Sequence, residues 1–174
     1  MVSDAMRALY EGDVERARTL LAPDGELSVF DAAAFGRVER LQELLAREPG
    51  LARSMSDDGF SALHLTVFAE QADAAQILIE HGADVDARAT AAIAQVPPLG
   101  TAAFVRSVPL ARLLLNAGAD VNGQGEGGFT ALHTAAQNED EALASLLLER
   151  GADKTIASDA GQRPADLGLS HFLA

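Results

Sequence analysis

Gly82-Ala83-Asp84-Val85-Asp86, Gly118-Ala119-Asp120-Val121-Asn122 and Gly151-Ala152-Asp153 are three versions of one phrase, starting 36 and then 33 residues apart. Each follows an apolar run: Ile77-Leu78-Ile79, Leu113-Leu114-Leu115 and Leu146-Leu147-Leu148. Upstream of each run stands a second phrase: Ser61-Ala62-Leu63-His64, then Pro97-Pro98-Leu99-Gly100-Thr101-Ala102-Ala103, then Thr130-Ala131-Leu132-His133. A fixed period in this range specifies a stacked array, in which each unit buries its apolar side against the next copy. Within a unit the reading is turn, short helix, longer helix, loop. Asp58-Gly59 supplies a turn, because glycine reaches positive φ at no steric cost. Ser61 and Thr130 stand where a hydroxyl accepts the first free N–H groups of a helix. Ala74, Ile77 and Leu78 fall on one helical face, as do Leu143, Leu146 and Leu147. Gly82, Gly118 and Gly151 are read as structural glycines that stop the second helix.

Composition narrows the function classes. The 174 residues contain no cysteine, which removes disulfides, thiolate catalysis and thiolate metal sites. No apolar run approaches the ~18 residues of a membrane span. The first residues, with Asp4 and Glu11, do not read as a secretory signal, so a cytoplasmic location is expected. Net charge is -13, spread as -5, -3 and -5 over residues 1–60, 61–123 and 124–174. That excludes the basic footprint of a nucleic-acid binder, and it suits a basic partner. One lysine against twelve arginines, in an alanine-rich chain, points to a bacterial source.

These phrases resemble the ankyrin repeat. Ser61-Ala62-Leu63-His64 and Thr130-Ala131-Leu132-His133 match its Thr-Pro-Leu-His segment with Ala in place of Pro, and Gly118-Ala119-Asp120-Val121-Asn122 matches its Gly-Ala-Asp-x-Asn segment. The resemblance implies one all-α solenoid of stacked helix-turn-helix repeats with β-turn fingers. The expected divisions are a degenerate cap at 1–27, a degenerate repeat at 28–55, repeats at 56–88, 89–124 and 125–157, and a closing half-repeat of one helix at 158–174. It also implies a structural role for His64 and His133, which hydrogen-bond neighbouring turns. Their separation of 69 residues is the array period and not a metal-ligand spacing.

No catalytic residue, metal site or cofactor is expected. Asp84-x-Asp86 lacks the rest of a calcium loop, and glycine-rich Gly123–Gly128 lacks the lysine of a phosphate cradle. The resemblance instead implies a concave face that binds a partner protein, with the chain as a monomer. By analogy with the family, contact positions flank the turn glycine and close the first helix. They are Phe35, then Asp57, Asp58, Phe60 and Phe68, then Val96, Phe104 and Val105, then Glu126, Phe129, Gln137 and Asn138. Five of the seven phenylalanines fall there, flanked by acids, which suits an apolar partner surface rimmed by Arg or Lys. Two uses of these rings stay open: contact with a partner, or packing against the next turn. Residues 89–98, apolar through Ile93 and Val96, make a finger three residues longer than usual, which either docks a partner or folds back on its neighbours. Other functions consistent with the sequence are an acidic inhibitor that mimics nucleic acid, self-assembly, and a ligand-binding or catalytic protein.

Overall fold

The computed structural model describes residues 2–92 and 94–173. They form antiparallel helical hairpins: α1 (Asp4–Tyr10) with α2 (Val14–Leu20), α3 (Val29–Ala34) with α4 (Val38–Arg47), α5 (Ala62–Phe68) with α6 (Ala72–Glu80), α7 (Pro98–Phe104) with α8 (Val108–Asn116), and α9 (Ala131–Gln137) with α10 (Glu141–Glu149). Two short helices follow, α11 (Pro164–Leu167) and α12 (Ser170–Leu173). An isolated antiparallel bridge joins Met55 and Ser61. The fold is an all-α repeat array. It divides into an N-terminal unit that runs to Asp84 and takes in Thr90–Ala92, and a C-terminal unit made of Val85–Ala89 and the chain after residue 92.

In the N-terminal unit α3 lies beside α5 and α4 beside α6. The interior leucines, Leu41, Leu45, Leu63 and Leu78, are fully buried there. In the C-terminal unit α7, α9 and α11 stack in one layer and α8 and α10 in the other, burying Leu99, Leu110, Leu114, Leu132, Leu143 and Leu147. Hairpin helices of six to ten residues are marginal alone, and this mutual burial supplies their stability.

Local chemistry sets the ends. Ser3, Ser28 and Ser61 cap α1, α3 and α5 by accepting the N–H of Met6, Asp31 and His64. The second helices end in one motif. Gly82, Gly118 and Gly151 have φ of 81°, 93° and 89°. The next residue's N–H closes back on Leu78, Leu114 and Leu147 at 2.9, 3.0 and 2.9 Å. A side chain at these glycines would meet the left-handed penalty. α5, α9 and α11 are each entered through a finger closed by one backbone bond: Ser56 N–H to Phe60 O at 2.8 Å, Gly125 N–H to Phe129 O at 2.7 Å, Ser158 N–H to Gln162 O at 2.8 Å.

The closing segment differs from the single helix expected. It breaks at Gly168 into α11 and α12, because the backbone there runs against the carbonyl of Ala136, at the end of α9. A Cβ on residue 168 would stand 2.1 Å from that oxygen.

Candidate functional site

In the N-terminal unit the predicted contact residues converge, and they converge on a residue that the sequence reading passed over. The Tyr10 ring centroid lies 6.1 Å from that of Phe60 and 5.9 Å from that of Phe68, nearly edge-on to the latter. Its hydroxyl donates to Asp58 Oδ2 at 2.7 Å. The Ser56 hydroxyl meets the other oxygen of the same carboxylate. Phe35 and Phe60 are half-buried against the cluster of Met6, Ala34 and Leu65. At the opposite end of α1 the Ser3 hydroxyl donates to Asp31 Oδ1 at 2.5 Å, and the Ser28 hydroxyl donates to Asp31 Oδ2 at 2.6 Å. Thus α1 lies across the turn and inner-helix face of its own unit. Its cap end is tied to α3, and its last residue reaches the finger and α5 of the third hairpin. A cavity of about 220 Å³ remains beside it, lined by Met6, Tyr10, Phe30, Asp31, Asp58 and Leu65 among others. Asp57 stays exposed at the tip of the finger.

Burial is the largest cause that raises the Tyr10 phenol well above its ordinary range. The hydrogen bond to Asp58 and the negative charges of Asp58 and Asp31 add to it. The signal for Tyr10 was present in the sequence as a count. It stands seven residues after the cap Ser3, as Phe35 does after Ser28, Phe68 after Ser61 and Phe104 after Pro97.

In the C-terminal unit the same register is open. Phe104, the last residue of α7, is 68% exposed. Val105 beside it is half-buried. Gln137, its register equivalent on α9, is exposed, and Asn138 is half-buried, donating through Nδ2 to Ala103 O at 3.3 Å. Arg106 returns a guanidinium hydrogen bond to Asn138 O. The ends of α7 and α9 are thereby knit into one surface holding Phe104, Val105, Arg106, Gln137 and Asn138. On the next finger Glu126 is exposed, and Phe129 is half-buried with its ring 5.3 Å from His133.

The long finger is closed in on itself. Ala89 N–H bonds Val96 O at 3.1 Å, and Arg88 Nη2 donates to Gly125 O at 2.8 Å. Val96 is half-buried against Gly125. Thr90 N–H bonds Gly59 O at 2.8 Å within the N-terminal unit. Ile93 lies outside the described residues.

His64 and His133 are buried at helix starts. The His64 Nδ1 lies 2.7 Å from Ser61 Oγ. For His133, Thr130 N–H donates to Nδ1 at 3.1 Å, so Nδ1 carries the lone pair. Nε2 then carries the proton directed to Gln162 O at 3.0 Å, on the following finger. Each ring therefore completes a turn. Among the described residues no group of three or more His, Asp or Glu side chains is placed to hold a metal ion, and no helix is long and apolar enough to cross a membrane.

Comparison with known proteins agrees with this architecture. A profile described as "Ankyrin repeats (3 copies)" matches residues 92–158, and one described as "Ankyrin repeat" matches residues 58–90. The chain is 32% identical over 143 residues to the probable 26S proteasome regulatory subunit p28 of Saccharomyces cerevisiae, covering 80% of this chain and 61% of that one. It is 36% identical over 119 residues to a putative ankyrin repeat-containing protein of Treponema pallidum, covering 66% and 38%. It is 36% identical over 106 residues to ankyrin repeat and SOCS box protein 11 of Danio rerio, covering 56% and 33%. The chain spans about a third to three fifths of the length of these relatives. Ankyrin repeats generally mediate protein–protein interaction and are typically non-enzymatic. The two profile matches, the recurring cap-to-glycine hairpins and the finger ladders establish that this chain belongs to the ankyrin repeat family.

Proposed function

We propose that the chain is a non-enzymatic, cytoplasmic protein-binding module. In this reading the surface formed by the ends of α7 and α9 is a primary contact for one partner protein. The observation that carries it is the exposure of Phe104, at 68%, in a register where the N-terminal unit covers its rings. A bare aromatic side chain on a rigid, preordered surface is the kind of anchor that dominates protein interfaces, and little ordering entropy is lost when it is covered. Gln137 and Asn138 supply hydrogen-bonding groups beside it, and Glu126 with Phe129 extends the surface along the finger. The charge of -13 favours a partner whose rim carries Arg or Lys, and steers its approach.

The test is Phe104→Glu. We expect folding stability to change by no more than about 0.5 kcal/mol, as for an exposed side chain. Proteins from the native organism that the wild-type chain retains on affinity capture should be lost by the variant. Retention of the same partners by both would move the contact elsewhere. The net charge also supports a second reading, mimicry of nucleic acid toward a basic protein. That reading predicts competition with duplex DNA and steep loss of binding with salt.

A further inference from the structure

The first hairpin is held differently from the others in its unit. α3 and α5 lie side by side, whereas α1 meets α3 only thinly. Its companion α2 buries only Ala17 and leaves Val14 and Leu20 exposed at 44% and 43%. The attachment runs through Ser3 on Asp31, Met6 among Ala34 and Leu65 with Val2 and Leu9 packed on the same cluster, and Tyr10 on Phe60, Phe68 and Asp58. A seven-residue helix has negligible stability alone, so α1 is helical because of the surface it covers.

That surface has a definite chemistry. Its rings offer apolar area. Its two carboxylates are acceptors only, and here both accept hydroxyl donors, Asp31 from Ser3 and Asp58 from Tyr10. An occupant without donors at both ends would leave a partly desolvated carboxylate short of a hydrogen bond. The spacing of those donors, from the cap serine to the tyrosine, is seven residues, with an apolar side chain between.

We propose that the turn and inner-helix face of the N-terminal unit is a docking groove for a short amphipathic helix, and that α1 is its resident, exchangeable occupant. A partner helix that presents a hydroxyl, an apolar side chain and then a tyrosine in this spacing takes its place. The proposal rests on the reading of the array as a protein-binding module and adds to it the identity of the ligand.

Two measurements on the intact chain test it. The first is amide hydrogen exchange. In the wild type, amides of α1 and α2 should exchange at least about tenfold faster than those of α3 and α5, which marks a local opening. Tyr10→Ala should abolish protection in α1 and leave α3 to α6 protected. Equal protection of α1 and α5, or a parallel loss across the unit in the variant, overturns the proposal and makes α1 an integral layer.

The second uses a dye-labelled synthetic peptide of residues 2–13, followed by anisotropy. It should bind Tyr10→Ala at least about tenfold more tightly than wild type, where α1 competes for the groove. Alanine at the tyrosine of the peptide should remove binding. Failure to bind the variant, or equal binding to both proteins, overturns the groove even if exchange is fast. Neither measurement uses a natural partner, so an inert Phe104→Glu variant would not bear on them.

Discussion

Phe68 and Phe104 occupy the same step of successive repeats, each seven residues past its helix cap and each at the end of an inner helix. One is half-buried beneath Tyr10, and the other is 68% exposed. Nothing in their local sequence accounts for the difference. The covering group comes from α1, some sixty residues upstream of Phe68. In an array each repeat presents much the same face, and whether that face is available is decided by what else the chain lays across it.

The comparison can be pressed at four levels. The deepest is the core. Leu65→Ala and Leu114→Ala, both at nearly fully buried leucines, should each cost about 2–5 kcal/mol in denaturant unfolding. Only Leu65→Ala should also loosen α1, because Met6 rests on that side chain. Unequal handling of the two cores, with Leu114→Ala nearly silent, would mean the units are not comparable scaffolds.

Next come the rings. Tyr10→Ala removes a half-buried aromatic and should cost about 1–3 kcal/mol, while Phe104→Ala should stay within about 0.5 kcal/mol. Similar costs at the two positions would erase the contrast between a covered and an open face. Smaller still is Tyr10→Phe, which keeps the ring and deletes the hydrogen bond to Asp58, for about 0.5–1.5 kcal/mol at neutral pH.

The last level is alkaline titration of the chain's one tyrosine. Its phenol is raised in the folded state, so the unfolded chain ionises first, near pH ~10. Between that pH and the folded value the native state holds the extra proton, and stability falls as pH rises. The stability advantage of the wild type over the Tyr10→Phe variant should therefore shrink above pH ~10, and phenolate absorbance should lag behind that of free tyrosine. An unshifted titration would place Tyr10 in water.

Much of this was legible in the residues. The Gly-Ala-Asp phrases set the period, and an array follows because no unit can bury its leucines alone. The histidines recur with the period and at no ligand geometry. The coverage of Phe35, Phe60 and Phe68 was not legible. α1 is a single short helix with one aromatic, too brief for a hydrophobic period, and its docking depends on tertiary contacts with residues far along the chain. Tyr10 could still have been found by counting seven from Ser3, a register that becomes visible only when caps, not glycines, are aligned. The closing segment escaped for a similar reason: the close approach of Gly168 to Ala136 O, where the segment parts into two helices, is a tertiary contact.

That proximity makes residue 168 an unforgiving position in the C-terminal unit. The carbonyl of Ala136 also accepts the Glu139 N–H that finishes α9, so neither partner can step aside cheaply. Even one methyl group there would pry the tail from its support and bring Leu169 and Leu173, now buried, into water. That face of the C-terminal unit would turn adhesive, and a missing carbon atom is what keeps it covered.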